Sequence, residues 1–375
     1  MTMSNLLAFR DTELSKKLVE RLIPSLEKER EKLGRKLRFM EVCGTHTVAI
    51  SKTGVRDILS PYVDLISGPG CPVCVTDQAD IDHMIAFAKR QDVIVTTFGD
   101  MMKVPGSSST LYEERANGAD VRVVYAPSES VDIALRHPDK KIVFLGVGFE
   151  TTAPGIALSM QRAKKLGVTN FWVYSAHKLT PPAVDILLQD SSYQFDGLLL
   201  PGNVSVIVGR RGWERLEKEN IPAVIGGFEP VDLLSSISLL VEELNKEKRY
   251  VVNNYERVVK EDGNRKAREL LAEVFSVQTG TWRGIGDLPN SGLVLSEAYR
   301  TFDAREHIEV EKPATKRIKG CLCGEIIKGK MRPFDCKLFA GICTPENPIG
   351  PCMVSGEGTC STYYKYERGK VVAHG

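Results

Sequence analysis

Six of the nine cysteines lie between Cys321 and Cys360, in the pattern C-x-C-x12-C-x6-C-x8-C-x7-C. The residues among them are rich in glycine and proline, as at Gly324, Gly329, Pro333, Gly350, Pro351 and Gly358, and follow neither a helical nor a strand period. Such a segment cannot hold itself together on apolar burial alone. Thiolates around a metal, or disulfides, are the ties available to it. Four thiolates satisfy either a zinc ion or a 4Fe-4S cluster. Two sulfurs are then in surplus, which points beyond a purely structural site.

The compartment decides how such sulfur is read. The start of the chain, Met1–Lys17, carries Arg10, Asp11, Glu13 and Lys16 in place of the apolar core of a signal peptide. No run of about 18 apolar residues occurs, so no membrane helix is expected. The expectation is a cytoplasmic protein, where cysteine is more often a ligand or redox catalyst than a structural disulfide. With 50 basic and 48 acidic residues intermixed and a net charge of +2, nothing marks a nucleic-acid or anionic-membrane surface.

Ahead of the tail, a chain of 375 residues has room for two or three domains. Residues 11–34 have the spacing of an amphipathic helix, through Leu14, Leu18, Leu22, Ile23 and Leu26. Strands are predicted at 38–42, 62–67, 92–98, 121–125, 141–146, 170–175, 197–200 and 222–226. Helices are predicted at 76–90 with Thr76 as N-cap, 128–136, 154–166, 180–189, 203–218 and 229–246. This alternation gives an α/β fold class: two open α/β domains with largely parallel sheets, plus a C-terminal cysteine domain. A polar, Ser-rich loop at 106–110 sets the division at 1–120, 121–248 and 249–375. In the last part, 254–275 reads as a charged helix, 277–292 as Gly-rich loop, 293–309 as a further helix and 313–319 as a basic linker.

Three cysteines sit where predicted strands end. Cys43-Gly44-Thr45-His46 follows the strand at 38–42, where open α/β sheets hold ligands, and its thiolate and imidazole can address one soft or borderline metal. The competing reading is an inert buried cysteine with a turn histidine. Gly68-Pro69-Gly70-Cys71-Pro72-Val73-Cys74 joins a strand to a helix, and a helix N-terminus favours thiolate, so the C-P-V-C pair is poised for thiol–disulfide exchange. Half of a zinc site competes, weakened because the chain has no second C-x-x-C.

Gly146–Gly155 hands a strand to a helix through a glycine loop with Glu150, Thr151 and Thr152. It could cradle an anion but lacks the Walker lysine, and Glu150 could act as a base or face Cys43 from the neighbouring domain. A domain-interface loop is the plain alternative. Pro201–Ser205 and Gly226–Asp232, the latter with Glu229, could line the same cleft or merely shape tight turns. His177 is a further cleft candidate, whereas His83, His137 and His307 carry no such signal.

Taken in order, Cys43-Gly-Thr-His, Gly-Pro-Gly-Cys71-Pro-Val-Cys74, Gly148-Phe-Glu-Thr-Thr-Ala-Pro, Gly227-Phe-Glu-Pro-Val-Asp and the six-cysteine tail resemble the HypD family, maturation factors for the iron centre of nickel–iron hydrogenases, across about Glu41–Tyr366. The resemblance implies two α/β domains and a C-terminal iron–sulfur domain with a 4Fe-4S cluster. It implies a scaffold on which Fe(II) receives two cyanides and one carbon monoxide, in complexes with HypC and HypE, the chain itself being a monomer when alone. Cys43 would hold the iron with His46 close by, and Cys71 and Cys74 would be a redox-active pair. Carried over from a tail pattern similar to ferredoxin:thioredoxin reductase, Cys321, Cys336, Cys343 and Cys360 would ligate the cluster, and Cys323 and Cys352 would be the surplus pair. Glu150 and Glu229 join the catalytic candidates through their motifs. One departure stands out: Asn203 occupies the position where the family motif has histidine. Such a protein is an assembly scaffold with redox activity rather than a conventional turnover enzyme.

Two other classes compete. A cluster-dependent thiol–disulfide oxidoreductase needs Cys71 and Cys74 but not Cys43. A nucleotide-binding α/β enzyme with a zinc tail would contain zinc without iron or sulfide.

Overall fold

The computed structural model describes residues 8–189, 194–311, 314–316 and 318–369. The first residues of the Met1–Lys17 start, and residues 313 and 317 of the expected linker, lie outside them. The strands are β1 (Leu37–Glu41), β2 (Val63–Ser67), β3 (Val93–Thr97), β4 (Val121–Val123), β5 (Lys141–Gly146), β6 (Phe171–Ser175), β7 (Gly197–Pro201), β8 (Ala223–Gly226), β9 (Val251–Asn253), β10 (Phe275–Trp282) and β11 (Gly286–Leu295). Each strand expected from the sequence forms within a residue or two of its place. Their buried, β-branched runs are those of strands covered on both faces.

All pairings are parallel in two sheets, ordered β2-β1-β7-β8-β9 and β4-β3-β5-β6, and β10 and β11 form an antiparallel hairpin. The sheets do not follow the contiguous division at 120/121, which falls between the paired strands β3 and β4. The chain builds β1 and β2, leaves to make the whole second sheet, and returns to complete the first with β7, β8 and β9. The region from 249 accordingly opens with a strand of the first sheet. Alternating strands and helices report how deeply each strand is buried but not which strand lies beside it.

The helix Thr12–Leu33 starts on Asp11, whose carboxylate accepts the Leu14 amide, and ends at Gly34 with φ 65°. It packs Leu22 and Leu26 against Pro230–Leu244 on one face of the first sheet, with Phe39, Leu199 and Val224 beneath.

Several elements differ from expectation for local reasons. Asp77, not Thr76, caps the helix Gln78–Ala88, and Thr76 closes the separate turn Pro72–Val75. Gly209, at φ 76°, breaks the expected helix at 203–218 into Gly202–Val208 and a 3-10 segment, Arg211–Glu219. Only Arg265–Val274 of 254–275 is helical. The Gly-rich 277–292 is the hairpin rather than a loop: Gly280 and Gly292 face each other so closely that a Cβ on either would lie 3.0 Å from the other's Cα. Residues 293–309 finish β11 and then make only a 3-10 turn and the short helix Ala304–His307.

In the first sheet, β1 lies between β2, added on one side, and β7, which begins the opposite run. Glu41 is level with Ser67 on β2 and Leu199 on β7, so the three carboxyl ends open together. This reversal of winding is where open α/β sheets bind ligands.

Candidate functional site

Cys43 lies at this reversal, two residues beyond β1. It is the N-cap of the helix Gly44–Lys52 but makes no side-chain capping hydrogen bond, and the nearby His46 amide and Thr45 hydroxyl favour its thiolate. Burial pushes the thiol up to about 12 against those contacts, and the charges of Glu357 and Glu41 add to the rise. Without a cation beside it the sulfur keeps its proton at neutral pH; a divalent metal displaces that proton.

His46 is fully buried and held neutral by burial, its pKa lowered to about 4. Nε2 lies 3.0 Å from the Gly227 carbonyl, which can only accept, so Nε2 carries the proton. Among the described residues Nδ1 has no partner, and it offers a lone pair. The ring packs on Phe228 at 4.6 Å between centroids. Glu41 is buried, accepts from the Thr47 hydroxyl at 2.7 Å, and is raised to about 7 by burial.

The loop at Gly68–Cys74 lies directly on Cys43. The Gly44 amide donates to the Gly70 carbonyl at 2.9 Å, and a Cβ on Gly70 would fall 2.2 Å from the Cys43 nitrogen. Cys71 and Cys74 are joined as a disulfide across the turn Pro72–Val75, and both are buried. The hairpin clamps this turn: the Arg283 amide donates to Val75 and its guanidinium to the Thr76 carbonyl and Gln78.

The tail meets the same turn from its other side. The short helices Cys323–Ile327 and Pro351–Val354 both pack against Pro72–Val75. The Cys352 thiol is pushed up by contacts with Cys323 and Cys360, whereas contacts with Cys323 and Cys352 hold Cys360 down. Contact with Cys323 raises Cys321, and the Ile349 amide donates to Cys343 at 3.3 Å. Gly350 makes room for this group, since a Cβ there would lie 2.5 Å from the Cys323 sulfur and 2.6 Å from that of Cys321. Cys336 stands at the edge, its sulfur 4.0 Å from the Gly320 carbonyl. Among the described residues no three His, Cys, Asp or Glu side chains form a finished metal cage. The fit to a thiolate-bound metal group lies instead in the donor chemistry: soft sulfurs already gathered, five of the six buried, with no side chain on Gly350 to fill the space between them.

Other candidates are deployed elsewhere. Glu150, buried and raised to about 7 by that burial, accepts from the Thr180 amide at 2.7 Å and hydroxyl at 3.0 Å, clasping the start of Thr180–Gln189. Glu229 accepts both guanidinium contacts of Arg10, so its loop reaches the site through the Gly227 carbonyl and Phe228. His177 bonds Ser175 at 2.9 Å beside the hairpin. Asn203 is exposed just beyond β7, next to the reversal.

Two residues at the site carried no flag in the sequence. Thr45 donates to Glu357 Oε1 at 2.7 Å, and a Cβ on Gly44 would strike Glu357 at 2.6 Å. The signal was present in Gly356-Glu357-Gly358, a charged residue between two glycines in the middle of the cysteine tail.

Fold and site together define an α/β protein of two parallel sheets, with one thiol at a sheet reversal and a cysteine-bearing tail packed against the neighbouring C-P-V-C turn. No helix among the described residues is long and apolar enough to cross a membrane. The chain belongs to the HypD family: the family model described as "HypD: Hydrogenase formation hypA family" matches residues 17–367. It is 42% identical to a putative hydrogenase expression/formation protein of Methanocaldococcus jannaschii, over 94% of this chain and 98% of that one. It is 41% identical to the hydrogenase maturation factor HypD of Cupriavidus necator, over 96% and 97%. With that of Rhodobacter capsulatus it shares 38% identity over 96% and 97%.

Proposed function

We propose that this chain is a cytoplasmic scaffold for assembling the iron group of nickel–iron hydrogenase, working with a HypC-type small partner and a HypE-type cyanide donor. Fe(II), the cargo, is held on Cys43 while two cyanides and one carbon monoxide are added, with His46 beside it. A 4Fe-4S cluster on Cys321, Cys336, Cys343 and Cys360 would supply single electrons. The pairs Cys323/Cys352 and Cys71/Cys74 would relay them towards Cys43. Each pair stores two electrons as a dithiol and releases them, with two protons, on forming its disulfide.

The observation that carries this reading is that the C-P-V-C loop touches Cys43 through Gly70 and two cysteine-bearing tail helices through Pro72–Val75. The rival oxidoreductase reading needs sulfurs that a protein substrate can reach, whereas Cys71 and Cys74 are 5% and 1% exposed.

Anaerobic iron and sulfide analysis, with infrared spectroscopy of the complex purified with its small partner, tests the proposal directly. Cyanide and carbonyl stretches are expected. Cys43→Ala should abolish them and hydrogenase maturation while leaving the visible absorption of the tail intact. Maturation that survives in Cys43→Ala refutes the iron platform, and zinc in the tail without iron or sulfide refutes the electron source.

A further inference from the structure

We propose that Glu357, delivered to the Cys43 loop by the cysteine tail, is the second protein donor to the metal held on Cys43. The inference rests on the iron-platform reading and adds an oxygen ligand to it. Three observations converge. First, Thr45, two residues from Cys43, donates its hydroxyl to Glu357 Oε1 at 2.7 Å, which sets the carboxylate against the Cys43 loop. Second, the approach is built in: Gly44 has no side chain where the Glu357 Cβ and carbonyl would meet it at 2.6 Å, and Gly358 has none where it would strike the Cys352 carbonyl at 2.2 Å. Third, the carboxylate has no countercharge. Arg10, Arg56 and Arg257 are engaged by Glu229, Glu367 and Asp232, and among the described residues no lysine or arginine pairs with Glu357.

A thiolate and a half-buried carboxylate brought to one loop repel each other when nothing lies between them. A divalent cation between them reverses the sign, turning mutual repulsion into two attractions. Fe(II) accepts both thiolate and carboxylate, so the donor pair suits it. Oε1 is oriented by Thr45, and Oε2 makes no hydrogen bond to a described residue, leaving it for the metal. Because Glu357 lies between Cys352 and Cys360, the same loop ties the metal-holding thiol to the sulfur group of the tail.

The test uses the full chain, prepared anaerobically with its tail iron at natural isotopic abundance, and titrates it with iron-57(II), so that Mössbauer spectra report only the added ion. Glu357→Gln should weaken binding tenfold or more and alter the quadrupole splitting, and Glu357→Asp should stay within threefold of the parent. Thr45→Val, which removes only the orienting hydroxyl, should lose about tenfold. Equal affinity and equal splitting in Glu357→Gln and the parent overturn the proposal. If Glu357→Gln loses its fold or its tail absorption, Thr45→Val decides: a tenfold loss supports the donor role, and an unchanged affinity overturns it. Cys43→Ser separates the two levels. Binding lost there but kept in Glu357→Gln rejects Glu357 alone, whereas binding kept in Cys43→Ser rejects the iron platform itself.

Discussion

Gly70→Ala is the sharpest perturbation of the contact between the C-P-V-C loop and Cys43. The added methyl would lie 2.2 Å from the Cys43 nitrogen, 2.3 Å from its Cα and 2.6 Å from the Val42 carbonyl carbon. Ordinary contact begins at 3.4 Å, so one backbone must retreat by about 1.2 Å, and no flexible side chain is available to give way. Overpacking of this kind costs roughly 1–3 kcal/mol. Loss of the Gly44 amide bond to the Gly70 carbonyl adds about 1 kcal/mol. The expected fall in apparent melting temperature is roughly 3–5 °C for a chain of 375 residues. The chemical effect should be larger, because a displacement of about 1 Å at a reacting centre can cost on the order of a hundredfold in rate. The assay pairs calorimetry with the yield of infrared-detectable cyanide and carbonyl on the purified complex. Gly341→Ala is the control, since a Cβ there meets nothing within 4 Å. A Gly70→Ala protein that melts with the parent and loads its iron normally would refute the claim that this contact matters.

Further outcomes follow from the other elements of the site. Gly350→Ala places a methyl 2.5 Å from one sulfur and 2.6 Å from another, and should sharply reduce visible absorption of the tail while Cys43 still alkylates in the metal-free protein. Glu150→Ala removes the acceptor for two bonds at the start of Thr180–Gln189, and should cost roughly 1.5–3 kcal/mol in urea unfolding without changing iron affinity; a loss of iron binding at unchanged stability would restore a direct role. Burial lowers His46 to about 4 and His177 to about 3, from 6.5, so the unfolded chain binds these protons more readily. Their contribution to stability is full above pH 6.5 and is lost as the pH falls through that window. Urea midpoints at pH 7, 6 and 5 should therefore fall less steeply in His177→Gln than in the parent, and identical slopes would contradict the assignment.

Much of this architecture was legible because buried parallel strands write nearly continuous apolar runs. Val93–Thr97 and Lys141–Gly146 announce themselves in that way. Partner choice was not legible: β7 slots beside β1 across the whole second sheet, and no local pattern encodes a long-range neighbour. The hairpin was hidden for a different reason. Its glycines permit close backbone approach at Gly280 and Gly292, yet in sequence they look like a loop. At the site, cysteines were visible by type and spacing, whereas the contacts of Glu150 with Thr180 and of Glu229 with Arg10 were not. Thr45 and Glu357 were invisible because their meaning lies in a contact between positions 312 residues apart.

The detour between β2 and β7 sets a timetable for synthesis. About 130 residues separate Ser67 from Gly197, and at ~5–20 residues per second a ribosome needs roughly 7–26 s to make them. During that interval Cys43 has emerged, but one wall of its crevice does not yet exist. Glu357 arrives later still, 160 residues after Gly197. An unfinished chain thus presents Cys43 with an incomplete crevice, and whatever binds there can be held only once β7 has joined β1.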